Sequence, residues 1–167
     1  QNLALYRFRH ALFQTYLYQQ LDVVERIRLH GLVARKLEAL HGGSLDQFPE
    51  MPHALARHFE VAGLADKAVR YYTRAGKDAL RLSANQEAVD HFYSALRLLQ
   101  ALPATPERDR HELDLQLSLG PPLTATKGWA PPEMAAAYAR AQELCETIDD
   151  HAQLIPALWL LATYRLG

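Results

Sequence analysis

The sequence predicts an all-α fold in which antiparallel helix hairpins are stacked as a solenoid, and three observations support this prediction. Apolar residues recur at helical spacing through almost all of the 167 residues. Apart from "LALYRFRH" at the start, no alternation with the period of a strand exceeds a few residues. The phrase "KAVRYYTRAG" returns twenty residues later as "EAVDHFYSAL". One amphipathic pattern in two consecutive helices is typical of stacked hairpins.

Composition excludes several classes of protein. Lys and Arg number 18 and Asp and Glu number 19, so a net charge of -1 provides no field that would attract nucleic acid or anionic lipid. A single cysteine, Cys145, excludes a disulfide framework and predicts a reducing, cytoplasmic location. The most apolar run, Leu154 to Ala162, is far shorter than the ~20 residues of a spanning helix, so no membrane partner is expected. Because the chain begins at Gln1 and ends within an apolar pattern, we expect it to be a fragment of a longer protein.

The chain up to Gly63 contains two predicted helices. Asp22 to Leu40 is predicted as a helix because Asp22 and Glu25 have the order of a capping box and Gly42-Gly43 provides a stop. One side of this helix carries Leu29, Leu32, Val33, Leu37 and Leu40. After a loop, "HALARHFEVAG" has Leu55, His58, Phe59 and Ala62 at helical spacing and ends at Gly63.

The repeated phrase lies in the next two predicted helices. The first runs from about Asp66 to Leu82 and carries a stripe of Ala68, Tyr72, Ala75 and Ala79. Ser83 or Asn85 is predicted to cap the second. Its stripe consists of Ala88, Phe92, Ala95, Leu96 and Leu99.

Three more helices are predicted, with a connection between the first and the second. "ELDLQLSLG" is predicted as a helix with Leu113, Leu117 and Gly120 inward, and "PPLTATKGWA" as a longer connection. Pro131-Pro132-Glu133 then opens a helix with the inward stripe Met134, Tyr138, Ala141, Cys145 and Ile148. "HAQLIPALWLLATYRL" is predicted as a last helix with Pro156 in its early part.

Small residues on one helix facing an aromatic residue on the next allow close approach, which is the packing of helix-hairpin repeats. Residues 69 to 102 resemble a tetratricopeptide repeat, with Pro103 as the later proline. A looser second copy extends from Leu119-Gly120 to Ala141, and an earlier hairpin contains Leu55, Ala56 and Phe59. A non-repetitive helical bundle is the alternative. The repeat-packing residues are Ala68, Tyr72, Ala75, Gly76, Ala79, Ala88, Phe92, Ala95, Gly120, Tyr138 and Ala141.

With its N-terminus included, the chain resembles the region after the ATPase module of bacterial signal-transduction ATPases of the STAND class. The residues that carry this resemblance are Phe8-Arg9-His10, "ALARHFEVAGLADKAVRYYTRAGKDAL" and "LDLQLSLGPPLTATKGWAPPEMAAAYARAQELC". The resemblance implies the end of a winged-helix element and linking helices in 1-45, and tetratricopeptide-like repeats in 46-167. Parents of this kind are predicted ATPases, adenylate or guanylate cyclases, or transcriptional regulators. No phosphate-binding G-x-x-x-x-G-K-[ST] occurs in the sequence, so the resemblance implies the regulatory segment alone.

The sequence predicts no catalytic, cofactor-binding or metal site, and we expect a non-enzymatic segment. His53 and His58 are five apart, which places them on different sides of a helix, and no His-Glu-x-x-His occurs. Cys145 lies on an inward stripe and is interpreted as a buried inert thiol. The scattered carboxylates are interpreted as solvated faces and caps.

Two features are candidate partner surfaces. Arg70, Arg74, Lys77 and Arg81 form a basic stripe opposite the alanine stripe, which either receives an acidic partner or is a solvated face. Trp129 either caps the helical stack or contacts a partner.

The leading hypothesis is a non-catalytic segment that binds a protein partner or another domain of its parent and relays a signal. The alternative is DNA binding by Tyr6 to His10 together with Arg26, Arg28, Arg35 and Lys36, which the neutral total charge disfavours. Self-association into a homodimer is predicted through "LIPALWLLATY" or "ALFQTYLY".

Overall fold

A computed structural model describes residues 11-41, 43, 45-129 and 131-148, and within these ranges the chain is all-helical with no strand. The all-α prediction is therefore confirmed. The predicted winged-helix residues Phe8 to His10 and the predicted last helix lie outside the described residues. The helices are α1 (Ala11–Gln20), α2 (Val23–His41), a single 3-10 turn (Leu45–Gln47), α3 (Met51–Val61), α4 (Ala65–Arg81), α5 (Asn85–Leu99), α6 (Pro106–Ser118), α7 (Gly120–Lys127) and α8 (Pro132–Ile148).

Helix α2 begins with the predicted capping box. The backbone N–H of Glu25 donates to Asp22 Oδ1 at 2.8 Å, and the backbone N–H of Asp22 donates to Glu25 Oε2 at 3.1 Å. These reciprocal bonds satisfy two amides that a helix start otherwise leaves unpaired.

The side of α2 that packs on α3 is formed by small residues. Gly31 and Ala34 are buried, whereas Leu29, Leu32, Val33 and Leu40 of the predicted leucine side are exposed. A Cβ at Gly31 would lie 3.5 Å from the Cβ of Ala62, so the two backbones approach closely there. Small residues allow this approach. Leu37 of the predicted side is partly buried and packs against the cluster that contains Ala34, whereas the other leucines stay exposed.

The α3–α4 and α4–α5 connections form the same turn. Gly63 and Ser83 both adopt positive φ, at 71° and 59°. The backbone N–H one residue later donates across the turn in each case, from Leu64 to Phe59 O and from Ala84 to Ala79 O, both at 2.9 Å. The stop at Gly63 is confirmed, but the prediction that Ser83 or Asn85 caps α5 is wrong. Ala84 is the N-cap and makes no side-chain bond, because Ser83 is used for the left-handed position of the turn.

The core is built from contacts between small and aromatic residues. A Cβ at Gly76 of α4 would lie 2.4 Å from the Phe92 ring of α5, and one at Gly120 would lie 1.7 Å from Tyr138 Oη of α8. Both aromatic rings are fully buried. The predicted repeat-packing residues are all buried, namely Ala68, Tyr72, Ala75, Gly76, Ala79, Ala88, Phe92, Ala95, Gly120, Tyr138 and Ala141.

The segment predicted as a long connection after Gly120 is largely helix α7, so that prediction is wrong. The two prolines Pro121 and Pro122 stand in the first turn of α7, where a missing amide proton has no cost. Leu119 and Leu123 are fully buried in the core that includes α5 residues, which stabilises the extra helix. Helix α6 also begins earlier than predicted, at Pro106, because the Thr105 hydroxyl accepts the Arg108 backbone N–H at 3.2 Å.

Among the helices of the described ranges, none combines the length and the apolarity that crossing a membrane requires.

Candidate partner-binding cleft

A cleft of about 480 Å³ lies between α3, α4 and α5. Its floor includes Ala75 and Ala79, which are the small residues of the α4 stripe, and its rim includes the exposed Leu82. Because alanine side chains are short, α4 fills little of the space between its neighbours at these positions. The lining consists of Pro49, Glu50, His53, Tyr72, Ala75, Asp78, Ala79, Leu82, Glu87, Asp90, His91 and Ser94.

Three rings from three helices form one wall of the cleft. The rings of His53 on α3 and His91 on α5 are 4.9 Å apart between centroids, and Tyr72 on α4 lies 6.2 and 6.1 Å from them. We call His53, Tyr72 and His91 the ring triad. It joins α3, α4 and α5 at the cleft.

Hydrogen bonding at Glu60 holds the Tyr72 ring in position. The Tyr72 hydroxyl donates to Glu60 Oε2 at 2.7 Å, and Arg97 of α5 donates to Glu60 Oε1 at 2.5 Å. Burial raises the pKa of Tyr72, and the bond to Glu60 raises it further. Burial would raise the pKa of Glu60, but the bonds from Tyr72 and Arg97 outweigh it and the pKa is lowered. The carboxylate is therefore ionised near neutral pH, and it links the same three helices.

Four carboxylates line the cleft. Asp78 is buried and accepts from Arg74 Nε at 2.9 and 3.0 Å, and it also pairs with Arg81. Asp90 accepts from Gln86 Nε2 at 3.0 Å, and because this amide is neutral it does not compensate the negative charge of Asp90. Glu50 and Glu87 are exposed, and neither side chain makes a hydrogen bond or an ion pair within the described part of the chain. The cleft is consequently anionic.

The pKa values of both histidines of the ring triad are lowered, which favours their neutral form near neutral pH. Burial lowers the pKa of His53, and Arg57 lowers it further, while Glu87 acts in the opposite sense. Burial and then His53 lower the pKa of His91, against Glu87 and Asp90. The His53 Nδ1 atom is buried and has no hydrogen-bond partner. A neutral imidazole whose proton is on Nε2 therefore leaves an unused acceptor at Nδ1.

A second histidine pair joins α2 to α3. His58 Nδ1 and His30 Nδ1 share a hydrogen bond of 3.0 Å, and His30 Nε2 bonds the Tyr18 hydroxyl at 3.1 Å. Burial lowers the pKa of both histidines, and Arg57 contributes to both shifts. His53 and His58, placed on different sides of a helix by their spacing, thus each face a histidine of another helix.

The predicted basic stripe lies beside the cleft and is paired with carboxylates of this chain. Arg70 bonds Asp66 at 2.8 Å and Lys77 bonds Asp114 at 2.8 Å, while Arg74 and Arg81 both hold Asp78. Arg70 and Lys77 line a smaller groove toward α6 rather than the cleft. The role of Arg70, Arg74, Lys77 and Arg81 in binding a partner remains a prediction.

Trp129 is 73% exposed, so of its two interpretations a cap over the described helices does not hold, and partner contact remains a prediction. Cys145 is buried in the core between α6 and α8, as its position on the inward stripe predicted. Within the described residues, no group of three His, Cys, Asp or Glu is arranged to hold a metal ion.

The sequence did not single out Glu50, Glu87, Asp90 or His91. Three of them belong to the second copy of the repeated phrase, "EAVDHFYSAL", at positions where the first copy carries Lys67, Arg70 and Tyr71. The two copies share their packing residues and have opposite charges at two of these outer positions, Lys67 against Glu87 and Arg70 against Asp90. That reversal of charge is the sequence signal that could have indicated these cleft residues, because the surface positions of a repeat are free to vary while its core positions are constrained by packing.

Comparison with known proteins relates the chain to part of a longer protein. No family model matches it, and neither does any solved structure. Among curated proteins, it is 28% identical over 158 residues to an uncharacterized protein of Rhizobium meliloti (strain 1021). The match covers 92% of this chain, which spans about 15% of the length of that relative.

Proposed function

We propose that this chain is a non-catalytic, tetratricopeptide-like segment that binds a protein partner or another domain of its own parent. The observation that carries the proposal is the recurrence of one packing unit. Gly76 faces Phe92 across α4 and α5, and Gly120 faces Tyr138 across α7 and α8. Stacked hairpins with this packing expose concave surfaces, and such surfaces bind helices and peptides.

The parent that we propose is a bacterial regulatory protein with an ATPase module, such as a STAND-class ATPase, a nucleotide cyclase or a transcriptional regulator. Support comes from the resemblance of the sequence and from the length of the relative, of which the chain spans about 15%. In this proposal the segment is cytoplasmic and follows a winged-helix element, and it relays the state of the parent to its output module. The cleft between α3, α4 and α5 is the contact surface.

Photo-crosslinking in the full-length parent tests this function. A photoreactive amino acid at Ser94, which lines the cleft, should crosslink to a defined peptide of another domain or of a copurified protein. Ala125 is exposed on α7 and serves as the matched control position. Crosslinks are mapped by mass spectrometry. If Ser94 gives no product beyond those of Ala125, the cleft is not a contact surface and the proposal fails.

The DNA-binding alternative is not favoured by the described residues. Arg26, one of the basic residues invoked for it, donates to the backbone oxygens of Leu21 and Gln19 and lies over the Tyr18 ring. Phosphate contacts would make binding fall steeply with salt, so a gel shift that is strong in low salt and lost in moderate salt would support this alternative.

A further inference from the structure

We propose that the cleft between α3, α4 and α5 binds a lysine or arginine side chain that a partner polypeptide presents. This inference deepens the proposed function and rests on it, because it assigns a partner chemistry to the same contact surface. It commits the cleft to a cationic peptide segment rather than to an anion, a metal ion or nucleic acid.

The charge of the lining favours a cation. Four carboxylates and, among the described residues, no Lys or Arg line the cleft. Arg74 and Arg81 compensate Asp78, but Glu50 and Glu87 have no such partner. An anionic ligand would be repelled here, whereas an ammonium or guanidinium group would gain Coulomb energy from both glutamates.

A second observation concerns His53, one of the residues that line the cleft. The buried Nδ1 of His53 has no hydrogen-bond partner, although buried polar atoms in proteins are nearly always paired. Lysine and arginine side chains carry donors and no acceptor, so they match the carboxylates and, in the tautomer with its proton on Nε2, the free Nδ1 acceptor of His53. A ligand that supplied only acceptors would leave Glu50 and Glu87 unpaired.

The walls of the cleft suit the rest of such a side chain. The apolar surface of Ala75, Ala79 and Leu82 can contact the aliphatic stem of a lysine or arginine side chain. A volume of about 480 Å³ falls in the range of ordinary ligand sites. It therefore accommodates a side chain together with adjoining backbone, which is the reason for proposing a polypeptide.

Binding should weaken as the pH falls through the pKa values of His53 and His91, which burial places below the ordinary 6.5. Protonation of His53 or His91 would place a positive charge in the cleft beside the bound cation and would convert an acceptor into a donor. The neutral forms favoured by burial are the ones that bind. The charged or titratable groups that face this pair are Arg57 and Glu50 from the side of α3, Tyr72 and Asp78 from α4, and Glu87 and Asp90 from α5.

Peptide titration into the 167-residue chain tests the inference. The probes are short alanine-based peptides carrying three lysines, three arginines, three glutamines or three glutamates, with binding followed by calorimetry and by amide NMR spectra at pH 7.5. The lysine or arginine peptide should bind and shift signals of α3, α4 and α5, and the glutamine and glutamate peptides should not. The Glu50→Gln/Glu87→Gln variant should weaken binding by about three- to tenfold, as expected for two partly exposed ion pairs. Glu146→Gln, an exposed carboxylate on α8, is the matched control and should bind like the parent chain.

Equal binding of the lysine, arginine and glutamine peptides would overturn the inference, as would equal losses in the cleft variant and in Glu146→Gln. Amide spectra of each variant establish that a loss is not due to unfolding. If no cationic peptide binds while the Ser94 crosslink still forms in the parent, the partner chemistry is wrong and the proposed function stands. If both experiments fail, the function itself is wrong.

Discussion

Glycine at two helical positions of this chain provides room for an aromatic ring. Gly76 lies in the middle of α4 and Gly120 begins α7, and a Cβ at either position would overlap Phe92 or Tyr138. Glycine inside a helix costs about 1 kcal/mol relative to alanine, so it needs a compensating contact. At Gly76 the compensation is the buried Phe92 ring that lies directly against the α4 backbone.

Gly76→Ala should therefore destabilise the fold although it raises helix propensity. Overpacking a core costs about 1–3 kcal/mol and the propensity gain is about 1 kcal/mol, so we expect a net loss of up to about 2 kcal/mol. Urea unfolding followed by circular dichroism measures it. Gly43→Ala is the control, because a Cβ at Gly43 meets nothing within 4 Å and should change stability by less than about 0.5 kcal/mol. A stabilised Gly76→Ala variant would contradict the close contact with Phe92.

At the scale of the elements, the repeat extends from the helices to the turns between them. The N-cap residues Leu64 and Ala84 have nearly the same backbone angles, with φ of -94° and -81° and ψ of 67° and 66°. The residues before them, Gly63 and Ser83, are both left-handed. One turn geometry is thus encoded once by a glycine, which adopts positive φ freely, and once by a serine, which does not.

The two turn residues should respond oppositely to substitution. Gly63→Ala should cost about 1–2 kcal/mol, since a Cβ there has open space and the cost comes from the left-handed backbone alone. Ser83→Gly removes the same strain, but glycine also gains entropy in the unfolded chain, so stability should stay level or rise by up to about 1 kcal/mol. Thermal and urea unfolding of the two variants measures this. A clear loss in Ser83→Gly would show that the serine side chain has another role.

At the scale of the whole molecule, two histidine pairs connect different helices. His30 and His58 join α2 to α3 through their Nδ1 atoms, and His53 and His91 bring α3 against α5. In the first pair one nitrogen donates and the other accepts, which requires at least one neutral ring. Full protonation would remove the acceptor and place like charges close together in both pairs.

Stability should therefore fall as the solution is acidified through pH 6.5. All four histidines have folded-state pKa values below the ordinary 6.5, so between the two values the unfolded chain binds more protons than the folded chain. The free energy of unfolding then rises with pH in this window and is fully retained above it. Glu60, whose folded pKa lies below 4.5, adds a separate loss at lower pH.

Urea unfolding from pH 5 to 8 measures this slope. His58→Gln should reduce it, and His58→Gln/His91→Gln should reduce it further, because each replacement removes one group that takes up a proton on unfolding. An unchanged slope in the double variant would exclude the histidine pairs as its source.

More of the helices than of the candidate site could be predicted from the sequence. The helical stripes of Ala68 to Ala79 and of Ala88 to Leu99 were predicted correctly, and so was the capping box at Asp22, because these depend on neighbours in sequence. Helix α7 was missed since Pro121 and Pro122 are typical of a loop. Burial of Leu123 in the core that includes α5 residues outweighs that local preference, and such a contact is not visible in the local pattern.

The sequence by itself determined the all-helical class, the amphipathic stripes and the small residues that allow close packing, because spacing along a helix decides which side chains share a face. The tertiary structure decided which side chains meet. It placed His53 beside His91, matched the stripe of Arg70, Arg74, Lys77 and Arg81 with carboxylates, and left Glu50 and Glu87 facing an open cleft. These outcomes depend on distances between helices, and a single helix pattern carries no information about them.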